Sequence, residues 1–141
     1  MMYWDASAVI PLCLKEPATP VVREIARRDG AIAAWWGTPV ECLSAFARLR
    51  REGVLATDGE RQARLVLSRL VSVWTEILPG DNVREGAARA LLLHPLRAAD
   101  SLQLAAALVW ADGRPAGQPF VCLDTRLRES AAREGFRALP E

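Results

Sequence analysis

Histidine, lysine and cysteine are scarce in this chain, and each shortage removes a class of chemistry. His94 is the only histidine among 141 residues, so a nuclease that uses two histidines as acid and base is excluded. Lys15 is the only lysine. A phosphoacceptor receiver needs a lysine near its last strand and an acceptor aspartate after its third, yet the third candidate strand here runs into Pro79-Gly80. The three cysteines, Cys13, Cys42 and Cys122, are odd in number, and their spacing matches no zinc motif. Each lies in an apolar stretch and reads as a buried free thiol, a small hydrophobe in effect. There is no Gly-x-Gly-x-x-Gly for a dinucleotide and no Gly-x-Ser-x-Gly elbow for a serine hydrolase. Ala6-Ser7 follows the first strand where a haloacid-type phosphatase would carry Asp-x-Asp. No apolar run reaches the roughly 18 residues of a membrane span, and no basic-then-apolar leader opens the chain. A soluble cytoplasmic protein is the expectation.

What remains is ordinary in bulk and specific in detail. A hydrophobic fraction of 51% with 25% charged residues suits one globular domain over residues 1–141. The net charge of +1 does not announce a nucleic-acid partner. The cations are nearly all arginine, the better bidentate phosphate ligand, although a GC-rich coding bias produces the same preference.

Short apolar strands alternate with helical patterns. Strands are expected at Met2-Tyr3-Trp4, Ala31 to Trp35, Val73 to Leu78, Phe120 to Leu123 and Phe136 to Leu139. A helix through Ala8-Val9-Ile10 ends near Glu16-Pro17, and Thr19 to Arg28 forms the next, stopped by Asp29-Gly30. Thr38-Pro39-Val40-Glu41 reads as a capping box with proline at the first helical position, opening a helix to about Arg51. Further helices are expected from Thr57 or Asp58 to Leu70, and from Asn82 to Leu93 with Val83, Ala87, Ala90 and Leu91 on one face. Two more cover Ala98 to Trp110 and Thr125 to Glu134, the last stopped by Gly135. The alternation implies an α/β fold, a parallel sheet of four to five short strands covered by helices on both faces.

Ligands of such sheets bind beyond the carboxyl ends of the strands. Four acids fall there: Asp5 and Asp124 at strand ends, Glu41 one turn into its helix, and Asp100 in the first turn of another. Each has a local alternative, as helix cap or as a charge favoured by the helix dipole. Held together at roughly 4 Å and an effective dielectric near 20, each like-charged pair costs about 4 kcal/mol. A divalent cation relieves that repulsion, and an all-oxygen site suits Mg²⁺ or Mn²⁺. Ser7 and Thr125 follow the strand-end acids closely enough to orient a carboxylate or water, with helix capping as the alternative. Arg97, Arg126 and Arg128 lie near Asp100 and Asp124, where they can meet phosphates or serve as internal ion pairs.

Asp5-Ala6-Ser7 after an N-terminal strand resembles the first motif of PIN-domain ribonucleases. Thr38-Pro39-Val40-Glu41 is similar to their helix-borne glutamate motif. His94-Pro95-Leu96-Arg97-Ala98-Ala99-Asp100, followed by Leu102-Gln103-Leu104-Ala105, resembles their third. Phe120-Val121-Cys122-Leu123-Asp124-Thr125-Arg126-Leu127 is similar to their last, except that Cys122 stands where a hydroxyl residue is common. The resemblance spans the whole chain, in order and in spacing, and the branch it suits is the VapC-like toxins of VapBC toxin–antitoxin pairs. It implies a PIN-like three-layer sandwich and endoribonuclease activity with one or two Mg²⁺ or Mn²⁺ ions per subunit. It also implies a homodimer and a VapB-like antitoxin. Asp5 and Asp100 would be the principal ligands. Glu41 and Asp124 would bind directly or through water, with Glu41 orienting the attacking water, and cleavage would leave a 5′-phosphate and a 3′-hydroxyl. The rival reading is a PIN-fold binding module without catalysis.

The remaining residues of interest carry less. His94, before Pro95 at a helix junction, reads as structural. Trp36 reads as packing or as a platform for a splayed base, while Trp4, Trp74 and Trp110 read as core or interface. Val9, Ile10, Leu12 and Leu14 make the first helix apolar on more than one face, which suits either a subunit or antitoxin contact or deep burial.

Overall fold

The computed structural model describes residues 1–141. β1 (Met2–Trp4), α1 (Ala6–Cys13) and α2 (Thr19–Arg28) lead to β2 (Ile32–Trp35), and α3 (Thr38–Arg51) and α4 (Thr57–Val71) lead to β3 (Thr75–Ile77). From there α5 (Asp81–Leu93) and α6 (Ala98–Trp110) lead to β4 (Pro119–Val121), and α7 (Thr125–Glu134) leads to β5 (Arg137–Leu139). The five strands form one sheet in the order β3-β2-β1-β4-β5, every pairing parallel. The chain builds outward from β1 to β3, then returns to place β4 on the other side of β1. The gap between the carboxyl ends of β1 and β4 is thus a topological switch point, where open parallel sheets leave a crevice.

Alternation along each strand divides the core into two. Met2, Trp4, Ile32, Ala34 and Val121 pack against Val9, Val22, Phe46 and Leu67 of α1 to α4. Tyr3, Ala33, Trp35, Phe120 and Cys122 pack against Val83, Leu104 and Leu127 of α5 to α7. Side chains on a strand point alternately to opposite faces, so a three-residue strand such as β1 can serve both layers and still put Asp5 at its end. The extra apolar surface of α1 is largely spent within the chain, because Ile10, Leu12 and Leu14 lie half-buried against the first layer. Cys42 and Cys122 are buried and Cys13 half-buried, all free thiols.

Several boundaries differ from the sequence expectation for local reasons. β3 is limited to Thr75–Ile77, because β2 offers only Ala33 to Trp35 for pairing; Val73 lies in the preceding turn, 81% exposed. β4 stops at Val121, because the amides of Leu123 and Asp124 turn away to Ser7 Oγ, at 2.8 and 3.2 Å. On α5, Val83, Ala87 and Ala90 are buried but Leu91 is not; it lies about 80° round the helix from Val83. The capping box at Thr38 does not form: Gly37 is the N-cap residue, no side chain caps α3, and the Thr38 hydroxyl is engaged elsewhere. Gly135 ends α7 in the left-handed region at φ 109°, a conformation glycine adopts without Cβ strain.

Candidate acidic active site

Two helix starts and two strand ends supply the acids. Asp5 is the N-cap of α1. Its Oδ2 accepts the Ser7 amide at 3.1 Å and its Oδ1 accepts the Ser7 hydroxyl at 2.8 Å. The same hydroxyl oxygen accepts from the amides of Leu123 and Asp124, so Ser7 ties the loop after β4 to the start of α1. Asp5 is buried, with 4% of its surface exposed. Burial pushes its carboxyl up to about 6 against the pull of the Ser7 hydrogen bonds, and the Asp124 charge pushes the same way.

Glu41 sits in the first turn of α3 and is pinned from α6. Gln103 Nε2 donates to Glu41 Oε1 at 2.9 Å and to Thr38 Oγ1 at 3.0 Å. Tyr3 donates its hydroxyl to Gln103 Oε1 at 2.7 Å, which fixes the orientation of the amide. Burial, then the charges of Asp5 and Glu41, hold the Tyr3 hydroxyl protonated well above its ordinary range, so it remains a donor. Burial also pushes Glu41 up to about 7; the Gln103 bond draws it down, while Asp5 and Asp100 push it further up.

Asp100 and Asp124 form the outer half of the site. Asp100 is half-buried in the first turn of α6; burial and then Asp124 raise its carboxyl, while Arg97 and Arg126 lower it. Asp124 is exposed and caps α7, accepting the Leu127 amide at 2.9 Å. With Arg97, Thr125 and Arg126 the two acids line a hollow of about 370 Å³.

The four acids expected from the sequence therefore lie beyond the carboxyl ends of the strands, and Asp5, Glu41 and Asp100 are each raised in part by the charge of another of the four. As the side chains stand, no three Asp, Glu, His or Cys groups converge tightly enough to enclose a metal ion. They form an open rim rather than a closed cage. Ser7 orients Asp5, Thr125 lines the hollow, and Arg97 and Arg126 stand beside the outer acids. Arg128 is committed elsewhere, donating to the carbonyls of Cys122 and Pro140 at 2.7 Å each. His94 is structural, its Nε2 lying 2.7 Å from Glu134 Oε1, which Arg89 also reaches.

Gln103 was not legible as a site residue. The available signal was its isolation: it is the one polar side chain between Leu102 and Trp110, and it is completely buried.

No protein-family profile and no curated protein sequence matches the chain. Solved structures do. VapC20 of Mycobacterium tuberculosis, a toxin that cleaves the sarcin–ricin loop, superposes with a TM-score of 0.67 at 15% identity, covering 97% of each chain. FitAcB from Neisseria gonorrhoeae superposes with a TM-score of 0.62 at 16% identity, also covering 97% of each chain. At such identities the likeness is one of fold: the expected sandwich of a central parallel sheet between helices is borne out, and these two structures share it. No helix of the chain is long and apolar enough to cross a membrane.

Proposed function

We propose that this chain is a divalent-cation-dependent endoribonuclease and the toxin of a toxin–antitoxin pair, acting in the cytoplasm as a homodimer held in check by a VapB-like antitoxin. One observation carries the reading: acids from four separate elements form an open rim at the carboxyl ends of the strands, in a fold shared with an RNA-cleaving toxin. The donor set fits a hard cation. It is all oxygen, and its inner members are raised above ordinary carboxylate values, chiefly by burial and to a lesser degree by the neighbouring acids. Mg²⁺ keeps several of its own waters and is commonly bound through one or two carboxylates, so a closed protein cage is not required.

A bound divalent cation supplies acidified water and offsets the charge that builds on a phosphoryl centre. Asp5 and Asp100 are assigned as its principal ligands, with Asp124 completing the rim. Glu41, fixed by Gln103 at the rim, is suited to orient the attacking water and accept its proton. Arg97 and Arg126 are suited to hold the phosphates on either side of the cut. Attack at phosphorus with departure of the 3′-oxygen leaves a 5′-phosphate and a 3′-hydroxyl.

The test is cleavage of end-labelled total RNA by the wild type and by Asp100→Asn, with Mg²⁺, with Mn²⁺ and with EDTA. Cutting that needs the cation and is lost in the variant supports the nuclease reading. A folded, inhibitor-free protein that cuts in no metal supports a binding module instead.

A further inference from the structure

The acidic rim has an apolar neighbour that the proposed chemistry does not use. On the α3 side of α6, opposite the arginine-lined hollow, lies a pocket of about 290 Å³ walled by Trp36, Val40, Ala99, Leu102 and Glu41. Trp36 is 53% exposed and Val40 67% exposed, an unusual outlay of apolar surface beside a cluster of charge. The indole is nevertheless held. The Trp36 amide donates to the Ile77 carbonyl at 3.0 Å, and its ring stands edge-on to buried Trp35, centroids 6.5 Å apart and planes at 70°. The following Gly37 is needed for this corner: a Cβ there would come 2.5 Å from the Trp35 ring nitrogen.

We infer that this pocket is a nucleobase seat, in which an unpaired base next to the cut phosphate stacks on Trp36. The inference rests on the nuclease reading for its substrate class. Three features favour a base over other occupants. Glu41 is both a wall of the pocket and a member of the acidic rim, so an occupant sits beside the scissile position. The first turn of α6 separates the pocket, with Ala99 and Leu102, from the hollow of Arg97 and Asp100, so apolar and cationic surfaces flank the acids as bases and phosphates flank a cut. Apart from Glu41 the only polar side-chain groups on the walls are the indole N–H donors of Trp35 and Trp36, so the surface offered is chiefly a flat apolar face. The seat therefore selects first for an unstacked base, and directs the enzyme to loops and single strands.

The test separates the seat from the chemistry. Binding of a short fluorescent single-stranded RNA is measured in EDTA for the wild type, Trp36→Ala and Trp36→Phe, with intact RNA and with an abasic residue scanned along it. Trp36→Ala should weaken binding roughly tenfold, and Trp36→Phe should retain most of it. One abasic position should cost the wild type a similar factor and Trp36→Ala nothing further. A wild-type protein that shows this pattern but never cuts would sink the nuclease reading and leave the seat standing. Equal RNA binding by all three proteins would overturn the seat. So would a Trp36→Ala variant that binds RNA normally but no longer binds the cognate antitoxin, which would assign the pocket to a protein.

Discussion

The acidic site has an inner half and an outer half, and the two tolerate negative charge by different means. Asp5 and Glu41 lie inward and meet only neutral donors, Ser7 and the Gln103 amide. Asp100 and Asp124 lie outward and have Arg97 and Arg126 beside them. Neutral hydrogen bonds position a carboxylate but do not cancel its charge, so burial dominates inside and pushes both inner acids up. The inner half is thus built with geometry complete and charge outstanding. Such an arrangement costs stability while the inner acids are ionised, whereas the outer half is already partly compensated.

Replacing Asp5 should expose that difference most strongly. Asp5→Asn keeps an N-cap acceptor for α1 but removes the buried charge. Turnover should fall by more than the roughly 10- to 100-fold that loss of a mere positioning partner causes. In EDTA at pH 8 the variant should nevertheless melt higher than the wild type. A carboxyl moved from 3.8 to about 6 on folding costs about 3 kcal/mol once ionised, and the amide avoids that cost. Asp124→Asn, made on the exposed cap, should leave the melting temperature nearly unchanged. Equal shifts in the two variants would erase the distinction between the halves.

Gln103 sharpens the comparison from the neutral side. Gln103→Leu leaves the Tyr3 hydroxyl, Thr38 and Glu41 without their shared partner, and activity should drop roughly 10- to 100-fold. Lost packing alone would scale the rate without moving its pH dependence. Because the Gln103 bond draws the Glu41 carboxyl down, its removal should shift the acidic limb of the pH–rate profile upward. An unmoved limb would reduce Gln103 to a core residue.

The pH dependence of stability follows with a fixed sign. Both inner acids have folded-state values above their unfolded ones, so the native state binds more protons between the two. Their favourable contribution is complete below about pH 4, the unfolded carboxylate range, and is lost as pH rises through about 6 and 7. Melts in EDTA should therefore fall between pH 5 and pH 8, on the order of several degrees. Saturating Mg²⁺ should flatten that slope, and its binding near pH 6.5 should release protons to the buffer. A flat EDTA profile would mean the inner acids are not held above their ordinary range.

The same division explains what the sequence revealed. α2 and α7 run over the spans that their periodicity and stop signals predict, because both are amphipathic and closed by local chemistry. The placement of the four acids was readable because strand ends and helix starts are local features, and the parallel topology then puts those ends on one side of the sheet. Their support was not readable. Gln103 reaches across 62 residues to Glu41, and Thr38 carries a capping signature that tertiary contact overrides. Trp36 was ambiguous because indole exposure depends on which helix lies beside it. Arg126 and Arg128 are two residues apart and look alike in the sequence, yet one lines the hollow and the other is bound to two carbonyls.

That last pair provides the smallest effect and a direct control. Arg126→Ala should weaken binding of single-stranded RNA only several-fold at moderate salt, because one exposed phosphate contact contributes little. It should lower the slope of log affinity against log salt by about one and leave the melting temperature alone. Arg128→Ala should do the reverse. Its guanidinium joins the end of β4 to the chain after β5, and removing it strands two carbonyls that are partly shielded from water. The expected loss is about 1–3 kcal/mol of stability, read as a lower melting temperature, with the salt slope unchanged. If instead both substitutions lowered the salt slope equally, Arg128 would have to leave its carbonyls to meet RNA, and the arginine-lined hollow would extend further along β4 than its present walls.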